Sequence, residues 1–384
     1  RVVLATAIAE TSLTVEGVRV VVDGGRARRA RTHPATGLSR LVTEPVSRAE
    51  ADQRRGRAGR VAPGVCYRLW TKGEEGALPA FAPPEILTAD LAPLALELAV
   101  WGVDDPAGMA FADPPPAAAL AEARGLLAGL GALDAKGRIT EHGRAMASFP
   151  GHPRLAHMMI VAECEGRAPE AALLAALLEE RDPLRGAGAD IATRIAAVID
   201  PAKARREHGV EPDRATVERI RAEAKRLAGT RPTAVADPGG LLALAYPDRV
   251  GLRRKGEAPR YLLSGGRGAE MDMAEPMGAE RLVVALDLED KGRNARIRLA
   301  ARLDEATLRA RHGAAIAWHD EAWWERRTRR VEARQRETFG AIALDDRIWR
   351  DVPGASLGRA LADGVRDLGL GMLDWPAGAE SLRA

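Results

Sequence analysis

Cysteine is nearly absent from this 384-residue chain, and its two examples, Cys66 and Cys164, stand far apart. That excludes a disulfide framework and a Cys-rich metal centre, and it suits a reducing compartment. Long apolar runs are absent as well. No stretch reaches the roughly 18 uninterrupted apolar residues that would span a bilayer, and the opening RVVLATAIAETSLT lacks the basic start of a secretory leader. The expected location is cytoplasmic, with no membrane partner. Net charge is small: 57 Lys+Arg oppose 54 Asp+Glu, a formal +3, so any electrostatic argument must be local. Lysine supplies only 6 of the 57, a bias toward arginine given no functional weight. The seven histidines show no spacing with cysteine or carboxylates that suits a metal, so no metal site is expected. No internal repeat is visible, which argues against a solenoid. With 46% hydrophobic and 29% charged residues the chain has a soluble composition, and at about 100 to 200 residues per domain it should hold about two to four domains. It does not start with Met and its first residues are already apolar. The expectation is therefore a fragment of a longer polypeptide.

Two β-branched runs, Arg1 to Ala5 and Val18 to Val22, lack polar alternation and read as parallel strands covered on both faces. From Arg26 to Val46 polar and apolar residues alternate around His33-Pro34-Ala35-Thr36-Gly37, the pattern of a hairpin. Ser47 with Glu50 forms a capping box that predicts a helix to Gly59, and Val65 to Trp70 predicts another strand. Beyond the prolines at Pro79 to Pro84 come an apolar periodic stretch, Ile86 to Trp101, and a helix over Ala117 to Leu130. A small hairpin through Leu133 and Ile139 follows, with Thr140 as the cap of the next helix, a winged-helix pattern. Residues 141–230 carry a nearly continuous helical signal, broken at Pro169, Pro183, Pro201 and Pro212. After Pro238-Gly239-Gly240 short alternating runs, Tyr261 to Ser264, Leu282 to Leu288 and Ala295 to Leu303, suggest a small β-barrel or sheet.

The richest segment is Gln53-Arg54-Arg55-Gly56-Arg57-Ala58-Gly59-Arg60. On a helix Gln53, Arg57 and Arg60 share one face, an amide and two guanidinium forks suited to a polyphosphate. Gly56 and Gly59 each cost about 1 kcal/mol of helix propensity, which is easier to understand where another backbone or a ligand comes close. A solvated basic helix is the plain alternative. Upstream, Ala5 to Thr14 leaves a strand at the carboxyl end of the sheet, where open α/β folds bind ligands. Between Arg19 and Arg60 eleven arginines face Asp23, Glu44, Glu50 and Asp52. Arg26, Arg28, Arg29 and Arg31 are densest, a candidate phosphate-binding ribbon unless its charges are simply solvated. In the tail, Trp318, Trp323, Trp324 and Trp349 fall among arginines and could stack bases, although packing of a small core accounts for them as well.

Ala5-Thr6-Ala7-Ile8-Ala9-Glu10-Thr11-Ser12-Leu13-Thr14 and Gln53 to Arg60 resemble motifs V and VI of the DEAH-box superfamily 2 helicases, usually ATNIAETSLT and QRxGRxGR. The likeness continues through Glu85-Ile86-Leu87, Leu96-Glu97-Leu98, Leu130 to Leu133, Gly143-Arg144 and Pro153-Arg154-Leu155, and the β-rich, Trp-containing tail resembles the bacterial HrpB-type branch. The resemblance implies a multidomain α/β plus α fold. Its parts would be the C-terminal part of a second RecA-like (P-loop NTPase) domain at 1–75, a winged helix at 76–140, a ratchet-like helical bundle at 141–230, an OB-like β domain at 231–320 and an HrpB-type C-terminal region, truncated, at 321–384. It implies an ATP-dependent helicase translocating 3′ to 5′ on single-stranded RNA, or DNA, and names no protein partner. Gln53, Arg57 and Arg60 would meet the ATP γ-phosphate, the two arginines as fingers, with Ser12, Thr14 and Glu16 on the cofactor side. Thr6, Arg26, Arg28, Arg29 and Arg31 would touch the strand. Ala7 replaces the family's Asn, and Glu16 stands near the ribose where Asp is usual. No GxxxxGK[ST] loop or DExH carboxylate occurs in these residues, so the ligands of ATP-bound Mg2+ are expected upstream and the isolated chain is expected to lack ATPase. The competing reading is a non-catalytic nucleic-acid-binding scaffold.

Overall fold

The computed structural model describes residues 2–6, 10, 17–32, 39–60, 62–184, 186–290, 292 and 294–373. Among them the chain opens with a two-stranded parallel sheet, β1 (Val20–Asp23) beside β4 (Val65–Arg68), with Val20 opposite Val65 and Asp23 opposite Arg68. The strand expected over Arg1 to Ala5 is not formed by residues 2–5. Val2 and Leu4 are 87% and 95% exposed, and an apolar run becomes a strand only where a neighbour completes its ladder. β1 is not covered on both faces either. Helix α1 (Arg48–Ala58) packs across β1 and β4, while Val20, Val22, Val65 and Tyr67 stand on the other side, each at least half exposed. Inside this unit β2 (Arg26–Thr32) and β3 (Ser39–Pro45) form the expected antiparallel hairpin, with Arg26 opposite Pro45 and Thr32 opposite Ser39.

Short helix α2 (Lys72–Ala77) starts with a Thr71–Glu74 capping box and leads to α3 (Ala92–Val100), α4 (Ala117–Gly129) and α5 (Glu141–Ala147). These three enclose a core of Leu96, Leu98, Leu127, Leu130 and Met146. Between α4 and α5 the wing is reduced to one antiparallel bridge, Leu133 with Ile139, and the Thr140 hydroxyl accepts from the Gly143 N–H at 2.9 Å to cap α5.

The helical middle consists of α6 (Pro153–Cys164), α7 (Ala168–Glu179), α8 (Ile191–Ile199), α9 (Pro201–His208) and α10 (Arg214–Ala228). Pro169 and Pro201 do not merely interrupt it; they stand in the first turns of α7 and α9, where a missing N–H costs nothing. One helix was not expected. Pro238–Ala245, here α11, is buried along nearly its whole length at the centre of the largest core, where it packs on α6 and on the barrel strands that follow.

Five strands then close a barrel in the order β5 (Val250–Arg253), β6 (Arg260–Leu263), β7 (Gly268–Glu270), β9 (Ala295–Arg302), β8 (Leu282–Asp290), around Tyr261, Leu263, Val283, Leu288 and Ile297. After α12 (Glu305–His312), the antiparallel sheet β10 (Ile316–Glu325), β11 (Arg330–Phe339), β12 (Ile342–Ile348) is backed by α13 (Gly354–Leu368). Trp324 packs so closely on Gly364 that a Cβ there would lie 2.7 Å from its ring, whereas Trp318 is 42% exposed with the Arg347 guanidinium 3.9 Å above its ring. No described helix is long and apolar enough to cross a membrane.

Candidate nucleotide and nucleic-acid interface

Helix α1 is fixed at its start by the Ser47–Glu50 capping box. Ser47 is fully buried; Glu50 Oε2 accepts from both the Ser47 N–H and its hydroxyl at 2.7 Å, and the hydroxyl oxygen in turn accepts from the Glu50 N–H at 3.2 Å. The second Glu50 oxygen binds Arg29 from the hairpin, and Arg29 also binds Glu44 at 2.5 Å. Burial alone would raise the Glu50 pKa, but the Ser47 N–H, Arg29 and the Ser47 hydroxyl together hold it below the ordinary carboxylate value. Arg29 therefore braces the hairpin against the helix, while Arg26 and Arg28 face solvent. Arg31 lies within β2, and its side chain is outside the described residues.

The helix ends short of Arg60, which the one-face spacing required it to include. It stops at Ala58 with Gly59 as C-cap, so Gln53 and Arg57 remain on α1 and Arg60 lies beyond it. At Gly64 a Cβ would stand 2.1 Å from the Ala58 carbonyl oxygen and 2.7 Å from that of Arg19, so only glycine lets the chain pass the helix end and enter β4 beside β1. No described residue approaches Gly56 or Gly59, where an added Cβ would meet no atom within 4 Å. The close approach expected at those two positions is not supplied by the described residues. Gln53 and Arg60 are exposed and Arg57 is half-buried, donating to the Glu10 carbonyl.

Arg54 connects these pieces, and the sequence reading gave it no part. Its Nε and Nη2 donate to Glu10 Oε1 at 2.7 and 2.6 Å, and its Nη1 to Asp23 Oδ1 at 2.8 Å and to the Arg26 carbonyl at 3.3 Å. Burial would lower the Arg54 pKa, yet Asp23 and Glu10 raise it above the usual arginine value. The available signal was Asp23 itself, a lone carboxylate closing an apolar strand: it is 3% exposed and needs a cation beside it. Thr6 is exposed. Ser12, Thr14 and Glu16 lie outside the described residues. A further basic feature sits on the barrel, where Arg254, Arg260, Tyr261, Ala269 and Asn294 line a cavity of about 200 Å³, and neither arginine makes an ion pair with a described residue.

Residues 123–150 match the model of the winged-helix helicase associated domain (HA2). The whole chain is 37% identical to the ATP-dependent RNA helicase HrpB of Escherichia coli K12, of which it spans 46%, and 48% of the chain is 39% identical to 14% of the ATP-dependent RNA helicase HrpA of the same organism. Two crystal structures of Escherichia coli HrpB, one described as a DExH-box NTPase and the other as a DEAH/RHA helicase, superpose with TM-scores of 0.74 over 98% and 99% of this chain, at 36% and 32% identity. The chain covers 45% and 46% of those structures. The agreement of motif order, fold and end-to-end sequence shows that the chain belongs to the DEAH-box helicase family, on its HrpB-type branch, and spans about half the length of the HrpB relatives it matches.

Proposed function

We propose that this chain is the strand-gripping and phosphate-sensing half of an ATP-dependent RNA helicase that hydrolyses ATP to ADP and phosphate while moving 3′ to 5′ along single-stranded RNA. One observation carries the reading. The two segments singled out independently in the sequence, Ala5 to Thr14 and Gln53 to Arg60, meet through Glu10, whose carboxylate binds Arg54 and whose carbonyl binds Arg57. A site that couples strand contact to a γ-phosphate requires that union. Gln53, Arg57 and Arg60 would clamp the γ-phosphate, where a guanidinium stabilises the charge of the transferring phosphoryl by about 10³ to 10⁵ in rate. Ser12, Thr14 and Glu16 would line the nucleotide side, with the Mg2+ ligands and phosphate loop on a partner domain upstream. Thr6 and the exposed Arg26 and Arg28 would follow the backbone of the strand, with Arg31 beside them, and Arg29 would hold the hairpin at its angle. The closed five-stranded barrel and its strand order support the OB-like assignment, and Arg254 and Arg260 on it would meet the strand. The helical middle would be the ratchet, and the 321–384 tail an HrpB-type addition.

The test is ATP turnover by the complete open reading frame with and without single-stranded RNA, beside a folded Arg57→Ala variant. RNA should raise the rate, and Arg57→Ala should abolish turnover while RNA still binds. A protein that binds RNA and never turns over ATP would be a scaffold with a vestigial clamp.

A further inference from the structure

Arg54 follows Gln53 directly, yet its side chain is only 16% exposed and each of its three nitrogens meets an acceptor in the protein. Its acceptors belong to three separate pieces of chain. Glu10 comes from the segment that begins at Thr6, Asp23 closes β1, and the Arg26 carbonyl opens the hairpin. Asp23 is the more demanding of the two acids: its side chain is 1% exposed, Oδ1 takes Arg54 and the Gly25 N–H, and Oδ2 has no hydrogen-bond partner among the described residues. A buried carboxylate left so incompletely bonded depends on its cation, and a planar fork can serve Glu10 and Asp23 at once where a lysine ammonium would be a single point charge.

Glu10 is shared in a second way. Its side chain is held by Arg54 and its main-chain carbonyl by Arg57, three residues further along α1. Displacement of Glu10 therefore pulls on the helix at two neighbouring points, and the Arg57 N–H that donates to Glu10 is released for a phosphate oxygen when that carbonyl moves.

We propose that Arg54 is the positioning residue that transmits strand binding at Thr6 to Arg57, acting through Glu10 with Asp23 as its fixed anchor. This rests on the helicase reading above. It is tested by steady-state ATPase of the complete open reading frame, titrated with single-stranded RNA, for wild type, Arg54→Gln, Arg54→Lys, Glu10→Gln and the Glu10→Gln/Arg54→Gln double variant. The ratio of RNA-stimulated to RNA-free kcat should fall about tenfold in each single variant, a size typical of coupling between sites, with RNA-free kcat and RNA Kd within about threefold of wild type. The double variant should fall no further than either single one, since both remove the same link. Glu10→Gln keeps the Arg54–Asp23 pair and serves where Arg54→Gln does not fold. Retained stimulation in the folded variants, or an equal loss of RNA-free and RNA-stimulated rates, overturns the proposal and leaves the helicase reading standing. No turnover by the wild-type protein overturns both.

Discussion

Glu50 divides two oxygens among three partners, the N–H and hydroxyl of Ser47 and the guanidinium of Arg29, so the start of α1 and the foot of the hairpin share one carboxylate. Ser47→Ala should destabilise the chain by roughly 1 to 2 kcal/mol, the range for loss of an N-cap, measured by chemical denaturation. Unchanged stability would show that Glu50 holds the helix without its reciprocal partner. A second residue-scale case is the pair His142 and His157, whose ring nitrogens lie 2.7 Å apart. Burial, with His142 and His312 nearby, pushes the His157 pKa down to about 4. A depressed histidine binds its proton less readily folded than unfolded, so the unfolded chain takes up protons first. Stability is then complete above about pH 6.5 and falls as pH drops from about 6.5 to 4, by roughly 3 kcal/mol for a shift of this size. Denaturation midpoints across that window should slope accordingly, and His157→Asn should flatten the slope. Asp90 acts in a different window. Burial alone would raise its pKa, but the hydrogen bond and charge of His152 hold it at about 2, so its contribution persists until pH falls below about 4.

At the scale of elements, two glycines make opposite predictions. Gly239 in α11 lies so near the end of β9 that a Cβ would stand 2.0 Å from the Arg302 carbonyl oxygen, whereas a Cβ on Gly125 in α4 would meet nothing within 4 Å. Gly239→Ala should cost roughly 1 to 3 kcal/mol by overpacking, and Gly125→Ala should gain about 0.5 to 1 kcal/mol by helix propensity. Thermal unfolding of the two variants side by side checks both signs. Gly239 also shows why α11 escaped the sequence reading. Pro-Gly-Gly is ordinarily a turn, and here the same residues start a helix: Asp237 caps Gly240 at 2.9 Å, Pro238 needs no N–H, and the glycine exists to admit another backbone. Elements written in local chemistry were legible, as with the Ser47–Glu50 helix, the β2–β3 hairpin and the Thr140 cap. Those decided at a distance were not. Where α1 ends at Ala58, residue 64 must lack a Cβ for the chain to pass the last carbonyl of the helix, and the strand expected over the first five residues has no described partner. At the candidate site Gln53 and Arg57 could be read from spacing, while Arg54 becomes visible only once Glu10 and Asp23 are brought to it.

Across the whole molecule, the helical middle is tied to the barrel by one largely buried charged junction. Arg154 on α6 binds Asp248 at 2.5 and 2.9 Å and the Ala245 carbonyl at 3.0 Å, and with Arg249 it sandwiches the Tyr246 ring, the two guanidinium carbons 5.1 and 5.0 Å from its centroid. Burial, followed by the nearby charge of Arg154, lowers the Arg249 pKa. Asp248→Ala would leave two crowded cations, and breaking one side of such a pair typically costs about 3 to 5 kcal/mol. Scanning calorimetry should show the single transition shift down or split as the barrel parts from the bundle, whereas Arg154→Met with Asp248→Leu should cost less than Asp248→Ala. The order in which these parts form follows from the sheet at the other end. The helical middle combines contacts between successive helices with the packing of α7 on α10, and β1 can meet β4 only after the chain from Val20 to Val65 has closed on itself in parallel. The hairpin and α1 lie inside that loop, and by folding first they shorten the gap that remains to be closed. The candidate site is thus expected to form late and to open readily, and on the proposed function that places the segment that would move with each catalytic cycle in a part of the fold that is cheap to open.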